Sequence, residues 1–337
     1  MRASPRADAL VHGCGAVHHD MLRDVVSQED RRAVTCPGNP CPVAQSIACA
    51  ERRPHIRTVA VPRASRVRGN QMENPYFQLH RRFRDAGAEV LLSSGQACVA
   101  FGIAAFSKDG DWIIREDAAS CRAVLGVLKE ERATYRLGAP LDPEWLRLGL
   151  TTHFEYITGE GLRMRADFCS RPPRVSDLSR MWVSAVQSEG LDVVDVETLI
   201  RLKQTRRQRD YPVIGALAQV AGLEERVPHI ALNYLQDYDL LRSAVLQWPR
   251  EAGSTGREAV RLLVAGASRR EVVIALALEQ DELVRRDHER VRALEARAGD
   301  YPERFMRLRA RWRRNRVSLL RQHEQLREVA SCLLTPS

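Results

Sequence analysis

Two aspartates one residue apart, Asp109 and Asp111, are the residues of this chain best suited to chemistry. They follow a small-residue turn, Ser93-Ser94-Gly95, where backbone amides can approach a phosphate because glycine has no side chain to block it. Two close carboxylates repel each other unless a divalent cation neutralises them, and Mg²⁺ is usually held by one or two carboxylates together with phosphate oxygens. The stretch 90–114 therefore indicates a metal and nucleotide site.

A third carboxylate, Asp167, lies in a later segment where apolar and charged residues alternate, so it is expected on the charged face of a strand. If that strand neighbours the one that carries Asp109 and Asp111, three carboxylates converge. That arrangement suits a two-metal phosphoryl-transfer site, in which one metal activates the attacking hydroxyl and the other orients the triphosphate. Asp109 and Asp111 would then hold both metals, and Asp167 would complete the acceptor-side one.

Hydrophobic periodicity predicts the elements that must position these residues. Asn74 and Pro75 are typical of a helix start. The expected order after that helix is strand 89–92, helix 96–106, strand 111–115, helix 118–135 and a hairpin of 153–157 with 162–169. Only helices are expected afterwards, at 176–188, 196–205, 212–221, 230–247, 256–265, 269–298 and 302–332.

These elements predict an α/β (α+β) core with a mixed sheet, followed by an all-helical C-terminal domain. The expected domains are 72–174 and 175–335, with the change of texture near Pro172 and Pro173. Residues 1–71 are rich in Pro and Arg and lack a sustained period, so we interpret them as disordered. The alternative is a mis-called extension, with translation beginning at Met72.

The stretch 89–212 resembles the DNA polymerase β-like nucleotidyltransferase superfamily, and most of all its minimal, toxin-like members. The superfamily signature is an apolar residue, Gly, then Gly or Ser, followed after a short helix by Asp-x-Asp. Leu92 to Ala97 occupy the first part, Asp109 and Asp111 match the metal-binding pair, and Asp167 matches the third carboxylate. The chain departs from the pattern at Ser94, in place of the first Gly, and at Gly110, in place of a bulky apolar residue.

A second match lies downstream, where Leu199 to Lys203 and Arg207 to Asp210 are similar to the Leu-x-x-x-Lys and Arg-x-x-Asp segment of the toxin-like enzymes. The resemblance implies that Lys203 reaches the nucleotide phosphates and that Asp210 is a supporting polar group. Plainer roles stay open: Lys203 on a solvated face, and Asp210 as the N-cap of a helix starting at Tyr211-Pro212.

Taken together, the resemblance implies Mg²⁺- or Mn²⁺-dependent transfer of a nucleoside monophosphate from an NTP to a hydroxyl acceptor. Ser94 and Gly95 would contact the triphosphate. The acceptor is RNA or tRNA, a protein or a small molecule, and an antitoxin-like protein partner is implied as well. The competing hypothesis is an inactive nucleotidyltransferase fold, altered at Ser94 and Gly110, that binds a partner through its helical domain.

Composition limits these hypotheses. The net charge is +9, and residues 301–327 carry nine Arg against two acidic residues, which tilts the acceptor towards RNA. The chain has no apolar stretch of membrane-spanning length and no signal-like N-terminus, so we expect a cytoplasmic protein without a membrane partner. Cysteines at 14, 36, 41 and 49 lack clean zinc-site spacing. His153 and Trp312 are interpreted as structural.

Overall fold

The computed structural model describes residues 74–188 and 190–334. Its first helix, α1 (Pro75–Asp85), begins where the sequence predicts, because the Asn74 side chain accepts a hydrogen bond from the Tyr76 backbone N–H at 3.0 Å. The expectations for residues 1–71, including disorder, a mis-called start and a cysteine metal site, lie outside the described residues.

Seven strands follow in the described part of the chain, and together they form one mixed sheet. They are β1 (Val90–Ser93), β2 (Gly110–Ile114), β3 (Thr134–Gly138), β4 (Thr152–Ile157), β5 (Arg163–Cys169), β6 (Val186–Ser188) and β7 (Leu191–Val193). Their order across the sheet is β3-β4-β5-β2-β1-β7-β6. Strands β2 and β5 are parallel, as are β1 and β7, and the other neighbours are antiparallel.

Short helices connect the strands, and longer ones make up the helical C-terminal region. They are α2 (Ser94–Ala100), α3 (Ala118–Glu130), α4 (Pro143–Arg147), α5 (Leu178–Val183), α6 (Val196–Lys203), α7 (Tyr211–Ala218), α8 (Pro228–Tyr234), α9 (Tyr238–Gln247), α10 (Pro249–Gly253), α11 (Glu258–Val264), α12 (Arg269–Ala298), α13 (Tyr301–Asn315) and α14 (Leu319–Ala330). A 3₁₀ turn, Gln208–Asp210, and a π-helical turn, Gln219–Glu224, flank α7. The fold is thus α+β with a mixed seven-stranded sheet and a helical C-terminal region, and no described helix is long and apolar enough to span a bilayer.

One face of the sheet is an aromatic core that packs on α1. Trp112 of β2 and Phe168 of β5 stack with ring centroids 5.4 Å apart, and Phe83 of α1 meets both rings edge-on. Each of the two strand residues directly follows a site aspartate: Trp112 comes after Asp111, and Phe168 comes after Asp167. Because successive strand residues point to opposite faces, the aromatic core forces both aspartates onto the other face.

Strand β3 is an edge of the sheet, and the last two long helices cover it. The Gln322 side chain of α14 accepts a hydrogen bond from the Tyr135 backbone N–H at 3.0 Å, and the Tyr301 hydroxyl donates to the Gly138 carbonyl at 2.8 Å. Trp312 of α13 is 2% exposed and meets Phe305 edge-on, so its predicted packing role is confirmed. Covering the edge in this way satisfies backbone groups that a further strand would otherwise pair.

Two predicted helices are shorter than expected. The helix predicted over 118–135 ends at Glu130, because Arg132 takes a left-handed conformation (φ 55°) and Thr134 then starts β3. The helix predicted over 96–106 ends at Ala100, and a loop leads from there to β2.

Three further predicted helices are interrupted. The segment 176–188 forms only the short α5 before it enters the β6–β7 hairpin, whose turn includes Gly190 at φ 76°. The segment 230–247 divides because Asp237 caps a new helix, and 302–332 divides because Arg316 adopts a left-handed conformation. The strands β6 and β7 therefore extend the sheet beyond residue 174, and all described residues belong to one compact unit.

Candidate functional site

Four polar residues form a row across one face of the sheet. Ser93 of β1 is opposite Asp111 of β2, Asp111 is beside Asp167 of β5, and Asp167 is opposite His153 of β4. Residues directly opposite on neighbouring strands lie close together on the same face. The structure therefore brings the predicted strand of Asp111 and the predicted strand of Asp167 side by side, and each residue of this row is at most 2% exposed.

The first turn of α2 and the loop before β2 are held against each other at one end of this row. Gly95 is required there, since a Cβ atom at this position would overlap the Ser107 side chain. The Gln96 side chain donates to the Ser107 carbonyl at 2.9 Å and accepts from Asn74 at 2.9 Å. These contacts fix the loop that delivers Asp109 to the site.

Ser94 takes a left-handed conformation, with φ 52°. That conformation costs an ordinary residue roughly 1 kcal/mol and costs glycine almost nothing. A serine at the position where the resembling pattern has glycine therefore keeps a glycine-like backbone, and its side chain is buried beside the row.

Asp111 is a buried carboxylate, and one of its two oxygens receives no hydrogen bond in the described structure. Its residue is 2% exposed, and within the described structure its Oδ1 atom has no hydrogen-bond partner. Burial, together with the charges of Asp167 and Asp109, raises the pKa of Asp111 to about 8. A buried carboxylate oxygen without a donor is destabilised unless a proton or a cation binds it.

Asp167 has the opposite environment, because two basic side chains bind it. Nη2 of Arg136 donates to both carboxylate oxygens, at 3.0 and 3.1 Å, and Nδ1 of His153 lies 3.0 Å from Oδ1. Burial alone would raise the pKa of Asp167, but His153 and Arg136 outweigh it and lower that pKa below its ordinary value. Nε2 of His153 is bound in turn by the Thr151 hydroxyl at 2.9 Å, so the imidazole is held at both nitrogens.

Asp109 lies just before β2 and is partly exposed. Nη1 of Arg165 contacts its Oδ1 atom at 3.2 Å. Arg165 and Asp167 are two residues apart on β5 and so share a face of the sheet. This contact places Asp109 at the mouth of the row, on the same face as Asp111 and Asp167.

Lys203 and Asp210 lie together at the end of α6, beside the row. Nζ of Lys203 is 3.8 Å from Asp210, and Asp210 also binds the Thr205 hydroxyl at 2.6 Å and Arg207 at 2.8 Å. The charges of Lys203 and Arg207 act to lower the pKa of Asp111, so the downstream segment faces the carboxylates. Lys203 is 8% exposed, which excludes the alternative of a solvated face.

Asp210 does not cap α7 either. It precedes that helix, yet in the described structure its side chain makes no capping hydrogen bond. The predicted N-cap alternative is therefore wrong, because the Thr205 hydroxyl and the Arg207 guanidinium bind the carboxylate instead.

A buried ion pair fixes the segment that carries Lys203. Arg174 donates to the carbonyls of Arg201 and Leu202, at 2.7 and 2.9 Å, and binds Asp287 of α12 at 2.7 Å. Asp287 also accepts from the Arg206 backbone N–H at 3.0 Å. Helix α12 thus supports the Lys203 turn through Asp287.

The carboxylate row offers few protein ligands to a metal ion. Among residues 74–188 and 190–334, no group of three or more His, Cys, Asp or Glu side chains is arranged to hold a metal ion. The free Oδ1 atom of Asp111, with Asp109 beside it, nonetheless offers the one or two carboxylates with which Mg²⁺ is usually bound when phosphates complete the shell.

Sequence reasoning missed Arg136, His153 as a site residue and the Arg174–Asp287 pair. It quoted Arg207 in the Arg-x-x-Asp segment but gave it no role. One signal was available for His153: a hairpin turning at 158–161 places residue 153 opposite residue 167. Arg136 and Asp287 reach the site through tertiary packing, and their neighbours in the sequence give no indication of it.

No family model matches this chain, and no curated protein matches it. Its function is therefore inferred from the geometry of the site. That geometry combines a buried carboxylate with a free oxygen, a second carboxylate neutralised by Arg136, a glycine-containing turn and a buried Lys203.

Proposed function

We propose that this protein is a Mg²⁺-dependent nucleotidyltransferase, which moves a nucleoside monophosphate from an NTP to a hydroxyl acceptor. The observation that carries the proposal is the free, buried Oδ1 atom of Asp111 directly beside Asp167. Structural carboxylates in a core are paired, so one that stays unpaired next to a second carboxylate suits a cation-binding role.

Asp109 and Asp111 would hold the cation, Mg²⁺ or Mn²⁺, with the nucleotide phosphates. Such a cation polarises the phosphate oxygens and stabilises the charge that develops on them. Asp111 must give up its proton to bind it, so cation binding is favoured as the pH rises through the raised pKa.

The remaining residues position the reactants. The turn at Ser94 and Gly95 contacts the triphosphate, and the buried ammonium of Lys203 offsets its charge. Asp167 accepts a hydrogen bond from the acceptor hydroxyl. This hydrogen bond aims the oxygen of the acceptor at the α-phosphorus.

In the reaction, the acceptor oxygen forms a bond to the α-phosphorus. The bond from that phosphorus to the oxygen bridging the β-phosphate breaks, and pyrophosphate leaves with the electron pair. The proton of the acceptor hydroxyl passes to water, because the lowered pKa of Asp167 makes its carboxylate a poor base.

The positive charge of helix α13 favours RNA as the acceptor. Helix α13 carries exposed Arg307, Arg311 and Arg314 at spacings of four and three residues, on the side opposite its buried Phe305 and Trp312. A row of guanidinium groups suits the phosphate backbone of RNA, including tRNA. Protein and small-molecule hydroxyls are the alternative acceptors.

Thermal unfolding with an equimolar mixture of the four NTPs and Mg²⁺ tests the proposal. The wild-type chain should be stabilised, by about 2.7 kcal/mol at a hundredfold excess over Kd. Asp109→Ala and Asp111→Ala should lose that gain, and Glu160→Ala, in the exposed hairpin turn, should keep it. Incubation with labelled NTPs and total RNA then identifies the acceptor, with Asp111→Ala as the blank.

The alternative is an inactive fold that binds a protein partner, such as an antitoxin-like protein, through the helical region. The observations that favour it are the non-glycine residue at the strained Ser94 position and the occupation of Asp167 by Arg136. It predicts no stabilisation by any NTP, and that result would exclude the enzyme.

A further inference from the structure

A buried guanidinium occupies the third carboxylate of the site. Nη2 of Arg136 binds both oxygens of Asp167, at 3.0 and 3.1 Å, and the two side chains are only 6% and 3% exposed. Nδ1 of His153 adds a contact at 3.0 Å. Both oxygens through which Asp167 would ligate a metal are therefore already hydrogen-bonded.

A specific irregularity of the sheet places Arg136 there. Tyr135 pairs with Phe154 and Leu137 pairs with His153, so Arg136 is an extra residue of β3 without a partner on β4. Such β-bulges redirect a side chain and are common beside active sites. The register change aims Arg136 into the carboxylate row, and Gln322 holds the preceding Tyr135 N–H in place.

The other two carboxylates are not occupied in this way. Oδ1 of Asp111 has no hydrogen-bond partner in the described structure, and Asp109 is partly exposed, with Arg165 at 3.2 Å from its Oδ1 atom. The three carboxylates therefore differ: two retain oxygens for a cation, and one is neutralised by protein.

We propose that the site holds one divalent cation, at Asp111 and Asp109, and that Arg136 supplies beside Asp167 the positive charge that a second cation would carry. The inference rests on the proposed function, since the single cation is the one that carries the nucleotide. Arg136 is thus a positioning residue, which acts through Asp167.

Physical chemistry favours a single cation. Mg²⁺ and Mn²⁺ need bare oxygens at roughly 2.1 Å, whereas the guanidinium covers both Asp167 oxygens. A second dication beside a buried guanidinium would also meet strong charge repulsion, because screening is weak in the protein interior. A fixed guanidinium neutralises Asp167 at every stage of the reaction, whereas a second metal would have to enter with the substrates.

The test counts bound Mn²⁺ by electron paramagnetic resonance. The full chain is titrated with Mn²⁺ and an equimolar mixture of the four α,β-methylene NTPs, which cannot release pyrophosphate, against a blank of nucleotide alone. The wild type should bind one Mn²⁺ per chain, without spin coupling between ions. Arg136→Met should admit a second, spin-coupled Mn²⁺, and Arg136→Lys, which keeps the charge, should not.

A double variant keeps the test decisive if Arg136→Met fails to fold. Arg136→Met with Asp167→Asn removes the whole buried pair, a change that proteins often tolerate. It should still bind one Mn²⁺ with affinity within about fivefold of wild type, because the lost charges cancel. Asp111→Asn should abolish binding.

The outcomes separate the two proposals. Two spin-coupled Mn²⁺ ions in the wild type, or a double variant as weak as Asp111→Asn, would overturn the single-cation inference and leave nucleotidyl transfer in place. No bound Mn²⁺ in the wild type would overturn both.

Discussion

Asp111 and Asp167 are neighbours in one buried row, yet their surroundings drive their protonation in opposite directions. Burial and two nearby carboxylates raise the pKa of Asp111 to about 8 in the metal-free protein. Burial would do the same to Asp167, but His153 and Arg136 lower its pKa. At neutral pH the row therefore carries one protonated and one ionised carboxyl group, and environments that separate paired carboxylates in this way are typical of functional sites.

The raised pKa of Asp111 makes stability depend on pH. The folded protein holds this proton more tightly than the unfolded chain, so stability is lost as the pH rises from about 4 to about 8. Asp111→Asn removes the buried charge and should stabilise the metal-free protein by roughly 1–3 kcal/mol at pH 8.5. At pH 5 the gain should be smaller, because folded Asp111 is still protonated and only the part of the loss between about pH 4 and pH 5 has accumulated.

Urea unfolding in EDTA at the two pH values measures this difference. Asp85→Asn, an exposed carboxylate at the end of α1, is the matched control and should change neither value appreciably. An equal gain from Asp111→Asn at both pH values would show that Asp111 is already ionised at pH 5.

Residue patterns predicted only part of the site. Alternation along β5 placed Asp167 correctly on the face of Asp111, since the pattern is local. Gly110 stands where the resembling pattern has a bulky apolar residue, and the structure shows a steric reason for it. A Cβ atom at this position would overlap the rings of Trp112 and Tyr76. Arg136 was missed because a bulge changes the register, and register depends on partners distant in sequence.

Elements depend on one another most clearly at the edge strand β3. The Gln322 side chain accepts from the Tyr135 N–H and donates to the Val317 carbonyl at 2.7 Å, so one amide joins α14 to the strand that carries the bulge. Gln322 is 1% exposed. Losing this partner would leave a buried backbone N–H unsatisfied.

Gln322→Ala should therefore destabilise the protein by about 1–3 kcal/mol. Chemical denaturation monitored by circular dichroism gives the value. Arg321→Ala, one residue earlier on the exposed side of α14, should change stability by less than about 0.5 kcal/mol even though it breaks a surface ion pair with Glu324. Equal effects of the two substitutions would contradict the importance of the edge contact.

Helical periodicity was most reliable where local signals agree. The predicted helix 269–298 matches α12, whose Ser268 and Glu271 form a capping box. Periodicity failed to predict helix ends that lack Gly or Pro, as at Arg132 and Arg316. Both residues adopt left-handed conformations that arginine seldom takes. Periodicity also could not reveal β6 and β7, because each is only three residues long.

Across the whole molecule, charge is unevenly distributed. Arginines of α13 either neutralise buried Glu155, as Arg309 and Arg313 do at 2.5 and 3.0 Å, or extend into solvent. Glu155 is on β4, two residues from His153, so this basic surface begins next to the carboxylate row. An RNA bound along α13 would therefore approach the proposed nucleotide site.

Replacing Arg307, Arg311 and Arg314 together by Glu should weaken RNA binding at least tenfold. The slope of log K against log salt should become shallower by about 2, since about three phosphate contacts are lost. Fluorescence anisotropy with total tRNA at several salt concentrations measures both quantities. Stabilisation by NTP should be retained, and unchanged RNA affinity would favour a protein or small-molecule acceptor.

The contact between Gln322 and Tyr135 also bears on the order in which a chain made from its N-terminus acquires the site. Asp111 and Asp167 can come together once β5 has been synthesised, but the residue that holds the bulge at Arg136 is added 187 positions after Tyr135. Until then the edge strand lacks its cover, and the guanidinium that neutralises Asp167 lacks its support. A growing chain on the ribosome therefore carries both members of the Arg136–Asp167 ion pair before it carries Gln322, the residue that holds the neighbouring bulge.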